Sequence, residues 1–186
     1  NKVATSLEAA GYVLEENASN TDRFTYRIEK RPLQHPTWEI LDAGLSLNGE
    51  NEPLLSYGSN RNMVYLNSTS TPKNGITAEI IHVKDLDELK IIFTEVNAQE
   101  IYSEGVLKNG ALGIVSYDNP AYLNPEKNLN SIQFRSLPYN LKNTWGIALS
   151  FRAKEKLKAA LETGKVMAKV NISSKMYPSE ELTILA

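Results

Sequence analysis

Residues 112 to 117 read Leu-Gly-Ile-Val-Ser-Tyr, and this short run constrains the chain more than any other. Its apolar residues do not alternate with polar ones. A strand built from it has no wet face and must be covered on both sides. The residues before it supply a cover. Asn97 stands three places before Glu100, the spacing of a capping box, and Ala98, Ile101, Tyr102, Gly105 and Val106 follow at helical spacing until Gly110 ends the pattern. Earlier still, Ile76 to Val83 and Leu89 to Val96 are β-branched runs of strand length, separated by the acidic turn Lys84 to Glu88. Strand, helix, strand in that order predicts a right-handed crossover with a parallel pair at its centre.

A second unit of the same kind follows a loop holding Pro120, Pro125 and several asparagines. Ser131 to Leu137 is expected to pair as a strand, and Thr144 to Leu149 is a better one. Ser150 is placed to cap a helix whose buried stripe is Ala153, Leu157, Ala160 and Leu161 and whose stop is Gly164. From Val166 to Ser173 the residues alternate with a period of two, the mark of a strand with one wet face. The half from Gly75 onward thus reads as an α/β domain with two main helices and about six strands in a mixed sheet. Residues 1–74 read differently. Ser6 to Gly11 ends a helix, Phe24, Tyr26 and Ile28 alternate in a strand that Pro32 and Pro36 stop, and Trp38 to Leu47 is extended up to the turn signal Asn48-Gly49. Glu50 to Asn74 is rich in Asn, Ser, Thr and Pro and predicts loops or irregular strands. The expected division is therefore a mostly β segment, 1–74, and an α/β domain, 75–186.

The totals exclude several functions. With 186 residues the chain can bury a core without staples, and 41% apolar with 23% charged residues is ordinary for a globular protein. A formal net charge of -2 gives no clustered basic surplus, so no nucleic-acid partner is expected. No apolar stretch approaches the roughly 18 residues of a membrane span. The absence of cysteine removes disulfides, zinc thiolates and thiol nucleophiles together. The chain starts at Asn1 and closes on Glu181-Leu182-Thr183-Ile184-Leu185-Ala186, which reads as a strand cut in mid-course and suggests a piece of something longer.

Chemistry is sparse. His35 lies in a proline-flanked loop and His82 in a strand, with no paired ligand spacing around either. Asp85, Asp87 and Glu88 lack the glycine and distal glutamate of a calcium loop. Ser116 lacks the glycines of a nucleophile elbow, and Gly110 and Gly113 do not make a dinucleotide or phosphate loop. The Asn-x-Ser/Thr triplets at Asn17, Asn67 and Asn171 are expected by chance in so asparagine-rich a chain. No catalytic residue and no metal ligand is therefore assigned. Contact candidates are Asp118 and Asn119 at the mouth of the covered strand, with Tyr122, Tyr139 and Trp145 in or beside the loops after the strands. The three aromatics can equally cap the core, and both readings stay open.

Three stretches carry a resemblance: NGITAEIIHV from Asn74, NAQEIYSEGVLKNGALGIVSYDNP from Asn97, and the sequence from Asn143 to Ala186 containing TWGIALS and Gly164. Together they resemble the protease-associated domain inserted in bacterial zinc aminopeptidases related to the transferrin receptor and glutamate carboxypeptidase. Phe24 to Leu47 is similar, more weakly, to the strands that precede that insertion. The chain departs from many relatives where it has Asp87-Glu88-Leu89-Lys90-Ile91 in place of a glycine-rich opening to the second strand. The resemblance implies a swivelling β/β/α-type fold over 75–186, with 1–74 as part of a peptidase framework. It also implies a secreted or periplasmic protein and an accessory region that shapes substrate access or protein contacts. Its partners would be a peptidase domain of the same chain and a peptide or protein substrate. Zinc would belong to that peptidase domain, and no cofactor is expected in the present sequence. The rival readings are an independent peptide- or glycan-binding module, and a small hydrolase whose pocket would gather Ser116, Asp118 or His82.

Overall fold

A computed structural model of the chain describes residues 2–85, 90–139 and 144–186. In chain order the elements are α1 (Lys2–Ala9), β1 (Val13–Leu14), β2 (Thr25–Pro32), β3 (Thr37–Leu47), β4 (Leu55–Ser56), β5 (Ile76–His82), β6 (Ile91–Thr94), α2 (Ala98–Tyr102), β7 (Gly113–Ser116), β8 (Gly146–Ala148), α3 (Phe151–Thr163), β9 (Val166–Tyr177) and β10 (Glu180–Leu185). The architecture is mixed α/β, as the periodicities predict. One sheet has seven strands in the order β4-β3-β9-β5-β6-β7-β8, and a second has three in the order β1-β2-β10. Strands β5 to β8 run parallel to one another, while β9 is antiparallel to β5 and β4 to β3. The crossover β6-α2-β7 is the one read from the sequence.

The chain divides into two compact units, Trp38–Lys175 and Asn1–Thr37 with Met176–Ala186. This division differs from the one expected at residue 74. Strands β3 and β4 belong to the same sheet as β5 to β9, because β3 turns Ala43, Leu45 and Leu47 into the core at a period of two. Met63 and Tyr65, from the segment read as loop, are fully buried beside them. At the end of β3, Asn48 and Gly49 both take positive φ (48° and 74°) and Glu50 N donates to Leu47 O at 2.8 Å, the geometry the Asn-Gly pair favours.

The centre of the larger unit is the covered strand. Every residue of β7 is buried, and Gly113 lies under the Trp145 ring so closely that a Cβ would collide with it. Tyr65 packs on Gly146 in the same way. Helix α2 starts at Asn97, whose side chain accepts from Gln99 N at 3.0 Å. After Tyr102 it widens into a π-helix over Ser103–Lys108, where Asn109 donates to Glu104 O from its backbone at 3.2 Å and from its side-chain amide at 2.7 Å. Helix α3 is capped by Ser150 Oγ, which accepts from Ala153 N at 3.2 Å. The expected strand over Ser131 to Leu137 does not form. That segment makes a single bridge, Leu66 to Ser136, because its residues instead close the preceding loop.

In the smaller unit, β2 and β10 pair antiparallel with Ile28 opposite Ile184 and Arg31 opposite Glu181, whose side chains approach to 3.3 Å. Tyr26 is its buried ring, and its hydroxyl donates to Glu8 Oε1 of α1 at 2.6 Å. No helix among the described residues is long and apolar enough to cross a membrane.

Candidate functional site

Open α/β sheets place their contacts outside the carboxyl ends of parallel strands. Here those ends are Thr94-Glu95 after β6, Tyr117 to Asn119 after β7 and Leu149-Ser150 after β8. Ser116, the last residue of β7, is fully buried and lies 2.6 Å from the Tyr65 hydroxyl oxygen. The same oxygen accepts from Ala98 N at 3.3 Å. Burial raises the Tyr65 phenol above its ordinary value, against the opposing hydrogen bonds of Ser116 and Ala98. This trio ties the covered strand to the start of α2 and has no face toward solvent. Ser116 is thus a packing residue.

The loop from Tyr117 to Leu137 is closed by its own polar groups. Arg135 donates from Nε to Asp118 Oδ2 at 2.8 Å and from Nη2 to Asp118 O at 3.0 Å, and both side chains are more than four-fifths buried. Asn119 donates to Ser131 O at 2.7 Å and accepts from Gln133 N at 3.1 Å. Asp118 and Asn119 therefore spend their hydrogen-bonding capacity inside the loop and hold its shape. What the loop presents outward is aromatic: Tyr122 is 71% exposed and Phe134 60%. Phe134 escapes the sequence reading because a strand over Ser131 to Leu137 would put it on the face of Ile132, which is buried. Tyr139 is half-buried with its hydroxyl enclosed. Trp145 is 2% exposed and belongs to the core over Gly113, so it is no contact residue; the small residue opposite it in β7 makes the room for its ring.

A second residue was not visible in the sequence. Lys154 stands on α3 among Arg152, Lys156 and Lys158, yet it is buried. Its Nζ stands 4.7 Å from the Tyr117 ring centre, 4.4 Å from that of Phe151 and 2.6 Å from Glu155 Oε1. The ammonium thus lies over two aromatic faces with a carboxylate beside it. Burial raises the Tyr117 phenol, and the negative charges of Glu155, Glu95, Asp118 and Glu126 add to the effect. The helix start and the mouth of β7 are locked together by this cluster.

A cleft of about 540 Å³ lies elsewhere, between the carboxyl half of α3 and the ends of β5 and β6. His82 lines it, edge-on to Phe93 at 5.7 Å, and Glu79 beside it is paired with Lys90 at 2.6 Å and Lys165 at 3.2 Å. These lysines, Lys90 first, hold the Glu79 carboxyl below its ordinary value. Of the three residues named for the hydrolase reading, His82 lines this cleft and Ser116 and Asp118 do not. No group of three or more histidine or carboxylate side chains that could hold a metal occurs among the described residues. Asp87 and Glu88 of the acidic turn lie outside them.

No protein-family model matches the chain, and no curated protein matches it. Solved structures do. The chain is similar to a peptidase M28 precursor from Shewanella amazonensis SB2B (TM-score 0.56, 15% identity, 85% of this chain and 40% of that one). It is similar to an aminopeptidase from Aneurinibacillus sp. strain AM-1 (0.54, 16%, 86% and 37%) and to the zinc aminopeptidase BSAP from Bacillus subtilis (0.55, 16%, 84% and 35%). Identities this low show a shared fold, and the chain spans between 35% and 40% of the length of these three proteins.

Proposed function

We propose that the chain is a non-catalytic accessory region of a zinc-dependent aminopeptidase, a protease-associated domain with the segment that leads into it. Its work is to shape substrate access or protein contacts beside a peptidase domain of the same polypeptide. The supporting observation is the pattern of coverage: more than four-fifths of this chain aligns with about two-fifths or less of each of three peptidases, two of them aminopeptidases. In this reading residues 75–186, completed by β3 and β4, form the protease-associated domain. The zinc ligands lie in the remainder of the parent protein, and export to the periplasm or medium follows from the resemblance alone. Among the described residues no group of three or more histidine or carboxylate side chains could hold a metal.

Two measurements test this. The coding sequence downstream of Ala186 is expected to encode histidine and carboxylate ligands of a peptidase, and a stop codon there would overturn the reading. Purified 1–186 is expected to show no stoichiometric zinc by mass spectrometry and no release of p-nitroaniline from leucine p-nitroanilide. One tightly held zinc per chain together with turnover would replace it with an enzyme. The exposed rings of Tyr122 and Phe134 favour a second reading, an independent peptide- or glycan-binding module, which a stop codon at that place would support.

A further inference from the structure

A concentration of unpaired positive charge lies beside the 127–131 segment and the start of α3. Two polar clefts of about 220 and 430 Å³ meet at Asn130 and Arg152, between the 127–131 segment and the first turns of α3. Lys156 lines the first and Lys127 the second, and neither cleft is lined by a carboxylate. The side chains of Arg152, Lys156 and Lys127 are exposed, and none makes an ion pair among the described residues. In a chain of net charge -2, with most other lysines of α3 paired, that is a local excess. The helix end itself adds little, because Arg152 N, Ala153 N and Lys154 N already donate to Leu129 O, Ser150 Oγ and Ser150 O.

We infer that this surface docks an extended acidic peptide segment, with Arg152 and Lys156 each taking one of two carboxylates on alternate residues. The spacing fits an extended partner. Residues four apart on a helix share a face and are separated by about 6 Å along its axis. Alternate residues of an extended chain point the same way and are separated by about 6.6 Å. Adjacent acids would point to opposite sides, so only one of them could meet this surface. Asn130, whose side-chain amide makes no hydrogen bond among the described residues, stands where the two clefts join and can donate to the peptide backbone, and Lys127 extends the positive field along the second cleft. The inference does not depend on the aminopeptidase reading, since it rests on this chain's own surface.

The test titrates the 186-residue chain into two fluorescent peptides of equal composition, one with glutamates at alternate positions and one with them adjacent, at low ionic strength. The alternate peptide is expected to bind more tightly, and added salt to weaken it. In the variant R152Q/K156Q its affinity is expected to fall about five- to tenfold, the effect of losing two exposed ion pairs. Glutamine keeps helix propensity, so an unchanged thermal midpoint accompanies the loss. Equal affinity for the two peptides would overturn the inference without recourse to any variant. So would undiminished binding by R152Q/K156Q, or displacement of the peptide by inorganic phosphate at the same concentration of charge, which would indicate a general anion surface.

Discussion

At the scale of single residues, space and solvation decide more than residue type. Gly113 is a plain strand glycine in the sequence, and in the fold the Trp145 ring occupies the space its Cβ would need. Gly113→Ala is expected to lower unfolding free energy by about 1–3 kcal/mol in a urea titration, the usual cost of overpacking a filled core. Tyr65 contributes to the alkaline pH dependence of stability. Its phenol is raised by burial, so above the ordinary value near 10 the unfolded chain loses that proton while the folded chain still holds it. The unfolded state then binds fewer protons, and stability falls as pH rises from about 10 toward the folded value, with a slope of at most about 1.4 kcal/mol per pH unit from this group. Tyr65→Phe is expected to be less stable at pH 8, through loss of its hydrogen bonds, and to show a shallower decline above pH 10. An identical alkaline slope in the variant would assign the effect to other groups.

Among the elements, the local signals in the sequence were accurate where local chemistry decides. Asn97 and Ser150 were legible as caps because a short side-chain oxygen before a helical pattern has few better uses than an orphan backbone amide, and each accepts from one. Replacing Ser150 by alanine is expected to cost about 0.5–2 kcal/mol, read from the urea midpoint, and by glycine only a few tenths. The covered strand β7 and the alternating β9 were equally legible from their period. The segment Ser131 to Leu137 was not, because its extended conformation comes from remote anchors: Asp118 on Arg135, Asn119 on Ser131 and Gln133, and Leu66 on Arg135 and Leu137. Nothing within those seven residues announces partners more than ten positions away.

For the whole molecule, each compact unit has its own core and sheet, and the smaller one is assembled from both ends of the chain. Removing residues 176–186 takes away the six-residue antiparallel partner of β2. Amides of Thr25 to Arg31 are then expected to lose hydrogen-exchange protection while β5 to β8 keep theirs. Loss of protection throughout would show that the larger unit is not stable by itself. By itself the sequence determined the α/β class, the helix caps and the covered strand, because period, capping and turn chemistry act between residues close in the chain. Only the tertiary structure decided that β3 joins the later sheet, that Trp145 and Lys154 are buried while Phe134 is not, and that Arg152 and Lys156 face a cleft free of carboxylates. Those outcomes depend on which distant segments meet, and burial is a property of that meeting rather than of any residue's own chemistry.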